Sequence, residues 1–290
     1  MSEKSKIQWT DATWNVARGC TKVDEDCKFC YMYRDSFNNT RYNPLEVVKT
    51  KTVFNMPLKL KEPSKIFTCS LTDFFHEAID SYRNEAWDII RKCPQHTFQI
   101  LTKRPERIIE CLPEDWGNGW DNVWLGTSVG SQKAADERIK NLLNVPTKIR
   151  FLSIEPLWSK IKLTSTCCLG CGRDIYKSDC SCPAGTGTYF IYDVPKNSKT
   201  HWGIDWVIIG GESGNENGKY KYRPCELSWI EDLVSDCKQA KVAVFVKQMG
   251  TYLSKQMKLS DRHGGNIDEF PSTLQIREFP QGKVKKSDHY

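Results

Sequence analysis

The stretch Asp205-Trp-Val-Ile-Ile209, followed at once by Gly210-Gly-Glu-Ser-Gly214, decides the fold class of this 290-residue chain. Four apolar residues in succession indicate a strand that is buried on both faces, as in a parallel sheet. The glycines, the serine and the carboxylate of Glu212 are typical of the turn at which such a strand ends. A short apolar run that leads into a polar turn therefore predicts one unit of an α/β fold.

Five further short apolar runs also lead into polar residues, at 65–69, 97–101, 122–125, 148–152 and 243–246. Apolar residues at helical spacing over 82–93, 132–143 and 229–239 separate several of the runs. Strands that alternate with helices give βα units and a parallel sheet. With one more strand leading into Cys20, the sequence predicts an α/β fold. The expected architecture is a partial (β/α) TIM-like barrel of about six to seven parallel strands with a small Cys-rich insertion.

The same pattern predicts how the chain divides. Residues 1–163 and 204–255 carry the predicted strands and helices and form the barrel. Residues 164–203 interrupt the barrel as a Cys-rich insertion that resembles a zinc knuckle, and residues 256–290 follow as a C-terminal extension.

Composition limits the classes of protein to consider. The net charge of +6 is mildly basic, which permits a polyanionic partner such as nucleic acid but does not require one. No apolar run approaches the ~20 residues of a membrane span, and the N-terminus lacks the apolar core of a signal peptide. We therefore expect a cytoplasmic protein with no membrane partner. Thirteen cysteines in such a chain favour metal binding over disulfides.

Polar side chains cluster where the predicted strands end. In a β/α barrel the loops at the carboxyl ends of the strands build the active site, so these side chains are expected to share one site. Each cluster could instead cap a helix or form a turn on its own. We expect Glu155 and Lys103 on neighbouring parts of the rim, where buried charges pair or meet a charged ligand. The candidates are Ser70, Thr72, Asp73, Lys103, Ser128, Glu155 and Glu212.

A cysteine loop (residues 19–31) reads Gly19-Cys-Thr-Lys-Val-Asp-Glu-Asp-Cys27-Lys-Phe-Cys30-Tyr31. The Cys-x-x-Cys pair places two thiolates on one tight turn, and Cys20 reaches the same centre through a short loop. A structural zinc ion needs four protein ligands, whereas a 4Fe-4S cluster held by three cysteines keeps one iron open. The spacing leaves both interpretations open, because a zinc turn could take a distant His or Cys as its fourth ligand.

The Cys-x-aromatic-Cys ending of the cysteine loop has Phe29 as its aromatic residue. This ending resembles the cluster loop of radical S-adenosyl-L-methionine (SAM) enzymes, although the first spacing of six residues is longer than in those enzymes. The resemblance implies a 4Fe-4S cluster on Cys20, Cys27 and Cys30. It also implies SAM on the free iron and the strand-end side chains, and an electron donor protein as partner.

A succession of motifs accompanies the cysteine loop along the chain. They are Ile7-Gln-Trp-Thr-Asp-Ala-Thr-Trp-Asn15, Asp73-Phe-Phe-His-Glu77, Leu101-Thr-Lys-Arg-Pro105, Trp124-Leu-Gly-Thr-Ser128, Leu152-Ser-Ile-Glu-Pro-Leu157, Trp206-Val-Ile-Ile-Gly-Gly-Glu-Ser-Gly214 and Phe245-Val-Lys-Gln-Met-Gly250. Together with the Cys-x6-Cys-x2-Cys motif they resemble an uncharacterised family of phage and bacterial proteins that is grouped with radical SAM proteins. The resemblance covers most of the chain and implies iron–sulfur chemistry rather than zinc at the cysteine loop.

A second cysteine group lies in the insertion. Cys168-x-x-Cys171 and Cys180-x-Cys182 offer four thiolates on two turns, which suits a closed structural Zn2+ site. Cys167 could replace Cys168. A second iron–sulfur cluster, as in radical SAM enzymes with auxiliary centres, is the alternative to zinc.

These features predict a radical SAM enzyme that cleaves SAM and abstracts hydrogen from a substrate. The mildly basic net charge, the aromatic residues and the resemblance to phage proteins favour a base in DNA or RNA as the substrate. The reaction would then be repair or modification of that base. Such a base must be flipped or single-stranded to reach the barrel interior. Cys69 ends a strand that faces the site and could donate hydrogen. Two alternatives stay open: a radical SAM enzyme that acts on a peptide, and a non-enzymatic, zinc-stabilised nucleic-acid-binding protein.

Overall fold

The computed structural model describes residues 5–33, 43–168, 186–190, 203–218 and 220–280, and for 164–168 and 186–190 it describes the backbone alone. The strands of this part of the chain are β1 Ala12–Trp14, β2 Ala17–Arg18, β3 Val48–Lys49, β4 Lys65–Thr68, β5 Thr97–Thr102, β6 Val123–Ser128, β7 Ile149–Leu157, β8 Thr164–Cys168, β9 Thr186–Phe190, β10 Trp206–Gly211 and β11 Ala243–Gln248. Its α-helices are α1 Asp80–Lys92, α2 Gln132–Leu143, α3 Leu227–Ala240 and α4 Gly250–Gln256.

Seven of the described strands form one sheet in the order β1-β4-β5-β6-β7-β10-β11. Every neighbouring pair in this sheet is parallel. The sheet curls into a half-barrel, and the fold is mixed α/β as predicted. The six predicted runs are confirmed as strands, and β1 is the strand expected ahead of the cysteine loop. The three predicted helices are α1, α2 and α3.

The convex face of the half-barrel is covered by α1, α2 and α3. Strand residues such as Ile100 and Leu125 form one buried core with helix residues such as Trp87, Ile139 and Leu233. Burial of each aliphatic side chain contributes about 1.5–3 kcal/mol. The longest described helix, α3, has 14 residues, and none in the described ranges is long and apolar enough to cross a membrane.

The concave face of the half-barrel carries a second, aromatic core. Trp206 lies with its ring centroid 5.6 Å from that of Phe151 and 6.2 Å from that of Trp9. Gly126 leaves room for Phe151, because a Cβ at this position would lie 2.5 Å from the ring. This core fills the lower part of the half-barrel. Its members are Trp9, Phe67, Phe151, Trp206, Ile208 and Phe245.

The chain after α4 returns to the edge strand β11. The Val246 N–H donates to the Ile276 carbonyl, and the Glu278 N–H donates to the Val244 carbonyl, both at 2.9 Å. These bonds satisfy backbone groups that an open sheet edge leaves unpaired. Phe279 packs onto the aromatic core from this segment. The described part of the predicted C-terminal extension therefore packs against the half-barrel.

Two small antiparallel sheets accompany the half-barrel. The pair β2–β3 flanks the cysteine loop, with Arg18 opposite Val48. The pair β8–β9 lies within the predicted insertion, with the backbone of Thr164 opposite that of Phe190. The residues that join β8 to β9 lie outside the described part of the chain.

Candidate functional site

A cavity of about 460 Å³ lies at the carboxyl ends of the parallel strands, above the aromatic core. This volume is in the range of ligand sites, about 300–1,000 Å³. The cysteine loop, the segments after β4, β5 and β10, and the C-terminal parts of β6, β7 and β11 all contribute to its wall. Every site residue predicted outside the second cysteine group lines this one cavity. They are Cys20, Cys27, Cys30, Cys69, Ser70, Thr72, Asp73, Lys103, Ser128, Glu155 and Glu212.

Local backbone geometry places the three cysteines of the loop. Gly19 has a φ of +98°, and a Cβ there would lie 2.0 Å from a backbone oxygen of Glu46, so this turn requires glycine. The Cys30 N–H donates to the Cys27 carbonyl at 3.3 Å, which closes the Cys-x-x-Cys turn. The Tyr33 hydroxyl donates to the Cys20 carbonyl at 2.6 Å. These bonds hold both ends of the loop at the cavity.

A buried carboxylate anchors the middle of the cysteine loop. Asp26 accepts hydrogen bonds from Arg138 Nη1 at 2.9 Å, Trp158 Nε1 at 2.7 Å and the Gly130 N–H at 3.1 Å. Its side chain is 1% exposed, and that of Arg138 is 6% exposed. Asp24 contacts the same guanidinium. The long spacing between the first two cysteines therefore carries the carboxylates that tie the loop to α2.

Asp73 is predicted to contact the cofactor, but its carboxylate accepts hydrogen bonds from four protein groups. One carboxylate oxygen accepts from Thr102 Oγ1 at 2.7 Å and from the Phe75 N–H at 3.0 Å. The other accepts from the Lys103 N–H at 2.9 Å and from Arg104 Nη1 at 3.3 Å. Four donors satisfy a carboxylate. Asp73 therefore organises the turn after β5 at the edge of the cavity.

Glu155 has a different partner from the one expected. Its Oε1 accepts from Lys247 Nζ at 2.6 Å, and both side chains are 18% exposed. Lys247 reaches Glu155 because β10 alone separates β7 from β11 in the sheet, and Lys103 lines the same cavity without pairing with Glu155. Lys103 is half-buried, and its ammonium makes no ion pair within the described residues. The Lys103 ammonium is therefore a positive charge on the cavity wall that could meet a charged ligand.

Glu212 is held by Arg223, a residue that sequence analysis does not single out. The two side chains form a bidentate pair, with both N···O distances 2.8 Å. Arg223 also donates to the Glu25 carbonyl at 2.9 Å, and its guanidinium lies 5.5 Å from the Phe29 ring centroid and 4.6 Å from that of Trp158. Arg223 thus joins the end of β10 to the cysteine loop.

Two buried polar atoms at the cavity lack a hydrogen-bond partner among the described residues. They are Thr72 Oγ1 and Trp9 Nε1, and both residues line the cavity. Leaving a buried donor or acceptor unpaired costs about 1–3 kcal/mol. Such atoms at a cavity wall indicate a ligand that supplies the missing bonds. Ser70, by contrast, accepts at Oγ from Asn15 Nδ2 at 2.9 Å.

Burial raises the pKa of three cavity thiols, those of Cys20, Cys30 and Cys69, and so favours their protonated form. Burial, with a smaller contribution from Asp73, raises the pKa of Cys20 to about 11. Burial also raises the pKa of Cys30 and, well above its usual range, that of Cys69. Because a metal binds thiolates, loading of the cysteine loop must release protons.

The three cysteines of the loop line one cavity wall. Among the described residues, no group of three or more His, Cys, Asp or Glu side chains is arranged to hold a single metal ion. In a 4Fe-4S cluster each cysteine binds a different iron, so its thiolates need not converge on one ion. The donor set of Cys20, Cys27 and Cys30 therefore fits a cluster. The side chain of Cys168 and all of Cys171, Cys180 and Cys182 lie outside the described residues, so zinc in the insertion stays a prediction.

The fold and the site together define a class of protein, an α/β half-barrel with a three-cysteine loop at the carboxyl ends of its parallel strands. Residues 4–276 match the model of the family described as "Protein of unknown function (DUF5131)", and the chain belongs to this family. No curated protein and no solved structure matches the chain.

Proposed function

We propose that this protein is a radical SAM enzyme. The observation that carries the proposal is the meeting of Cys20, Cys27 and Cys30 with the strand-end polar side chains in one cavity. Three thiol ligands suit a 4Fe-4S cluster with one open iron. The unpartnered Thr72 Oγ1 and Trp9 Nε1 indicate a further ligand beside it.

In this proposal Cys20, Cys27 and Cys30 hold a 4Fe-4S cluster, and SAM lies against the strand ends. When bound, and with one electron from a donor protein, these two groups would supply radical chemistry for hydrogen abstraction from a substrate. Lys103 offers a cation for a carboxylate or phosphate, and Thr72 offers a hydroxyl that none of the described residues hydrogen-bonds. Ser70, Ser128 and the carboxylates of Glu155 and Glu212 complete the polar wall.

The protein's own contribution is a site whose charges are fixed by ion pairs. Asp73, Glu155 and Glu212 are each paired with a cation, so none faces the cavity as an isolated charge. The aromatic core closes the floor. Cys69 is 4% exposed and stays a neutral thiol, as a hydrogen donor must.

The substrate in this proposal is a base of DNA or RNA. The net charge of +6 and the cations near the cysteine loop support a polyanionic partner. Lys22 lies 5.0 Å from the Tyr33 ring centroid, and Lys28 lies 5.9 Å from that of Phe29. Paired cations and aromatic rings suit phosphates and stacked bases. A peptide is the alternative substrate, and an electron donor protein supplies the electron.

Metal analysis of protein purified without oxygen tests the proposal. We expect about four iron and about four sulfide per chain at the cysteine loop. Zinc accompanies the iron if the second cysteine group is a structural site. Zinc at both cysteine groups with no iron contradicts the proposal and supports the zinc-stabilised nucleic-acid-binding protein. Binding to an oligonucleotide that weakens steeply with salt then becomes the expected property.

A further inference from the structure

Arg104 is a buried arginine whose guanidinium contacts a cysteine of the loop. It is the second residue after β5 and is 6% exposed. Its Nη1 lies 3.9 Å from Cys20 Sγ, within hydrogen-bond reach of sulfur. Its Nη2 donates to Thr21 Oγ1 at 2.8 Å and to the Thr21 carbonyl at 3.0 Å. The guanidinium therefore binds Thr21 and at the same time contacts the Cys20 sulfur.

Hydrogen bonds to Thr102 and Asp73 also hold Arg104 in place. Its backbone N–H donates to Thr102 Oγ1 at 2.8 Å, and Nη1 also donates to Asp73 at 3.3 Å. Asp73 has three further donors with shorter bonds, the nearest being Thr102 Oγ1 at 2.7 Å. These three donors are neutral, so Arg104 is the charged partner of Asp73 within the described part of the chain. The same Nη1 lies within reach of Cys20 Sγ, so the buried ion pair holds the guanidinium against the sulfur.

Two other cations at the cavity are each held by a carboxylate. Lys247 pairs with Glu155, and Arg223 pairs with Glu212. Arg104 is the arginine that the described residues place in contact with a loop sulfur. A fixed positive charge and an N–H donor next to a cluster ligand stabilise the more negative, reduced form of the cluster. Its reduction potential therefore rises.

We propose that Arg104 sets the reduction potential of the cluster through its contact with Cys20. This inference rests on the proposed function, since it assumes a 4Fe-4S cluster on the cysteine loop. The step concerned is the transfer of one electron from a low-potential reductant to the cluster, and no bond forms or breaks. Arg104 neither binds substrate nor moves a proton in this role. It makes the cluster easier to reduce.

A redox titration with dithionite, followed by the electron paramagnetic resonance signal of the reduced cluster, tests this role. The variants are Arg104→Gln, which removes the charge, and Arg104→Lys, which keeps the charge but loses the planar fork. We expect the ratio of reduced to oxidised cluster at a given potential to fall about tenfold in Arg104→Gln, a shift of about 59 mV to more negative values. A smaller shift in the same direction is expected for Arg104→Lys.

Arg107→Gln is the matched control. Arg107 lies three residues further on and pairs with Asp80 and Glu110, away from the cysteines. Its potential should equal that of the wild type. An iron-loaded Arg104→Gln with the wild-type potential overturns the inference and leaves the proposed function intact. If that variant does not load iron, an iron-loaded Arg104→Lys with the wild-type potential overturns it instead. Wild-type protein without iron overturns the inference and the proposed function together.

Discussion

Replacement of Cys20, Cys27 or Cys30 by serine is expected to abolish the iron–sulfur cluster. Each thiolate binds a different iron, and a serine hydroxyl is a poor substitute for a soft ligand. We expect iron content below about a tenth of the wild-type value in each variant. The fold should persist, because the half-barrel core does not depend on these side chains. Iron analysis and circular dichroism after anaerobic reconstitution measure both properties.

Cys69→Ser is the informative control for this series. Cys69 lines the same cavity but lies at the end of β4, outside the cysteine loop. The account requires this variant to keep its iron, since Cys69 is a thiol and not a ligand. Loss of iron on Cys69→Ser would identify a fourth cysteine ligand. The site would then be closed, as in a structural metal centre, and could not hold SAM on a free iron.

Asp26→Ala is expected to cause the largest loss of stability among the loop residues that are not ligands. The substitution leaves the buried Arg138 with Asp24 as its remaining carboxylate partner, and it leaves the Trp158 and Gly130 N–H groups unpaired. Breaking a buried ion pair from one side costs about 3–5 kcal/mol. We expect the free energy of unfolding to fall by about 3 kcal/mol, measured by urea denaturation.

Glu25→Gln provides the matched control in the same loop. The Glu25 side chain is 68% exposed and pairs with Lys28 at 3.2 Å. Substitutions at such a surface pair change stability by at most about 0.5 kcal/mol. Equal stabilities for Asp26→Ala and Glu25→Gln would show that Asp26 does not anchor the cysteine loop.

The half-barrel could be predicted from the sequence because its strands are buried on both faces. In a run such as Trp206-Val-Ile-Ile209 the apolar residues do not alternate with polar ones. Such a run suits a strand that is covered on both faces of a parallel sheet. Parallel strands also point their carboxyl ends to one edge, which is why separate polar clusters such as Ser70 and Glu155 meet in one cavity. Both predictions rest on repeated local patterns.

The ion pairs that organise the site could not be predicted in the same way. Asp26 pairs with Arg138 across 112 residues, and Arg104 reaches Cys20 across 84. In the sequence Asp26, Arg138 and Arg104 are charged residues of loops and helices, and most such residues are exposed to solvent. Lys247 reaches Glu155 because β10 alone separates β7 from β11 in the sheet. Strand order and curvature decide such pairs, and one sequence reveals neither.

Cleavage of SAM by the reduced protein tests the central claim most directly. Anaerobic protein carrying its iron is mixed with dithionite and SAM, and the nucleoside products are separated by chromatography. The account predicts 5′-deoxyadenosine that accumulates with wild-type protein and is absent with Cys30→Ser. If iron-loaded, reduced wild-type protein leaves SAM intact, and SAM does not alter the electron paramagnetic resonance spectrum of its cluster, the cavity is not a radical SAM site.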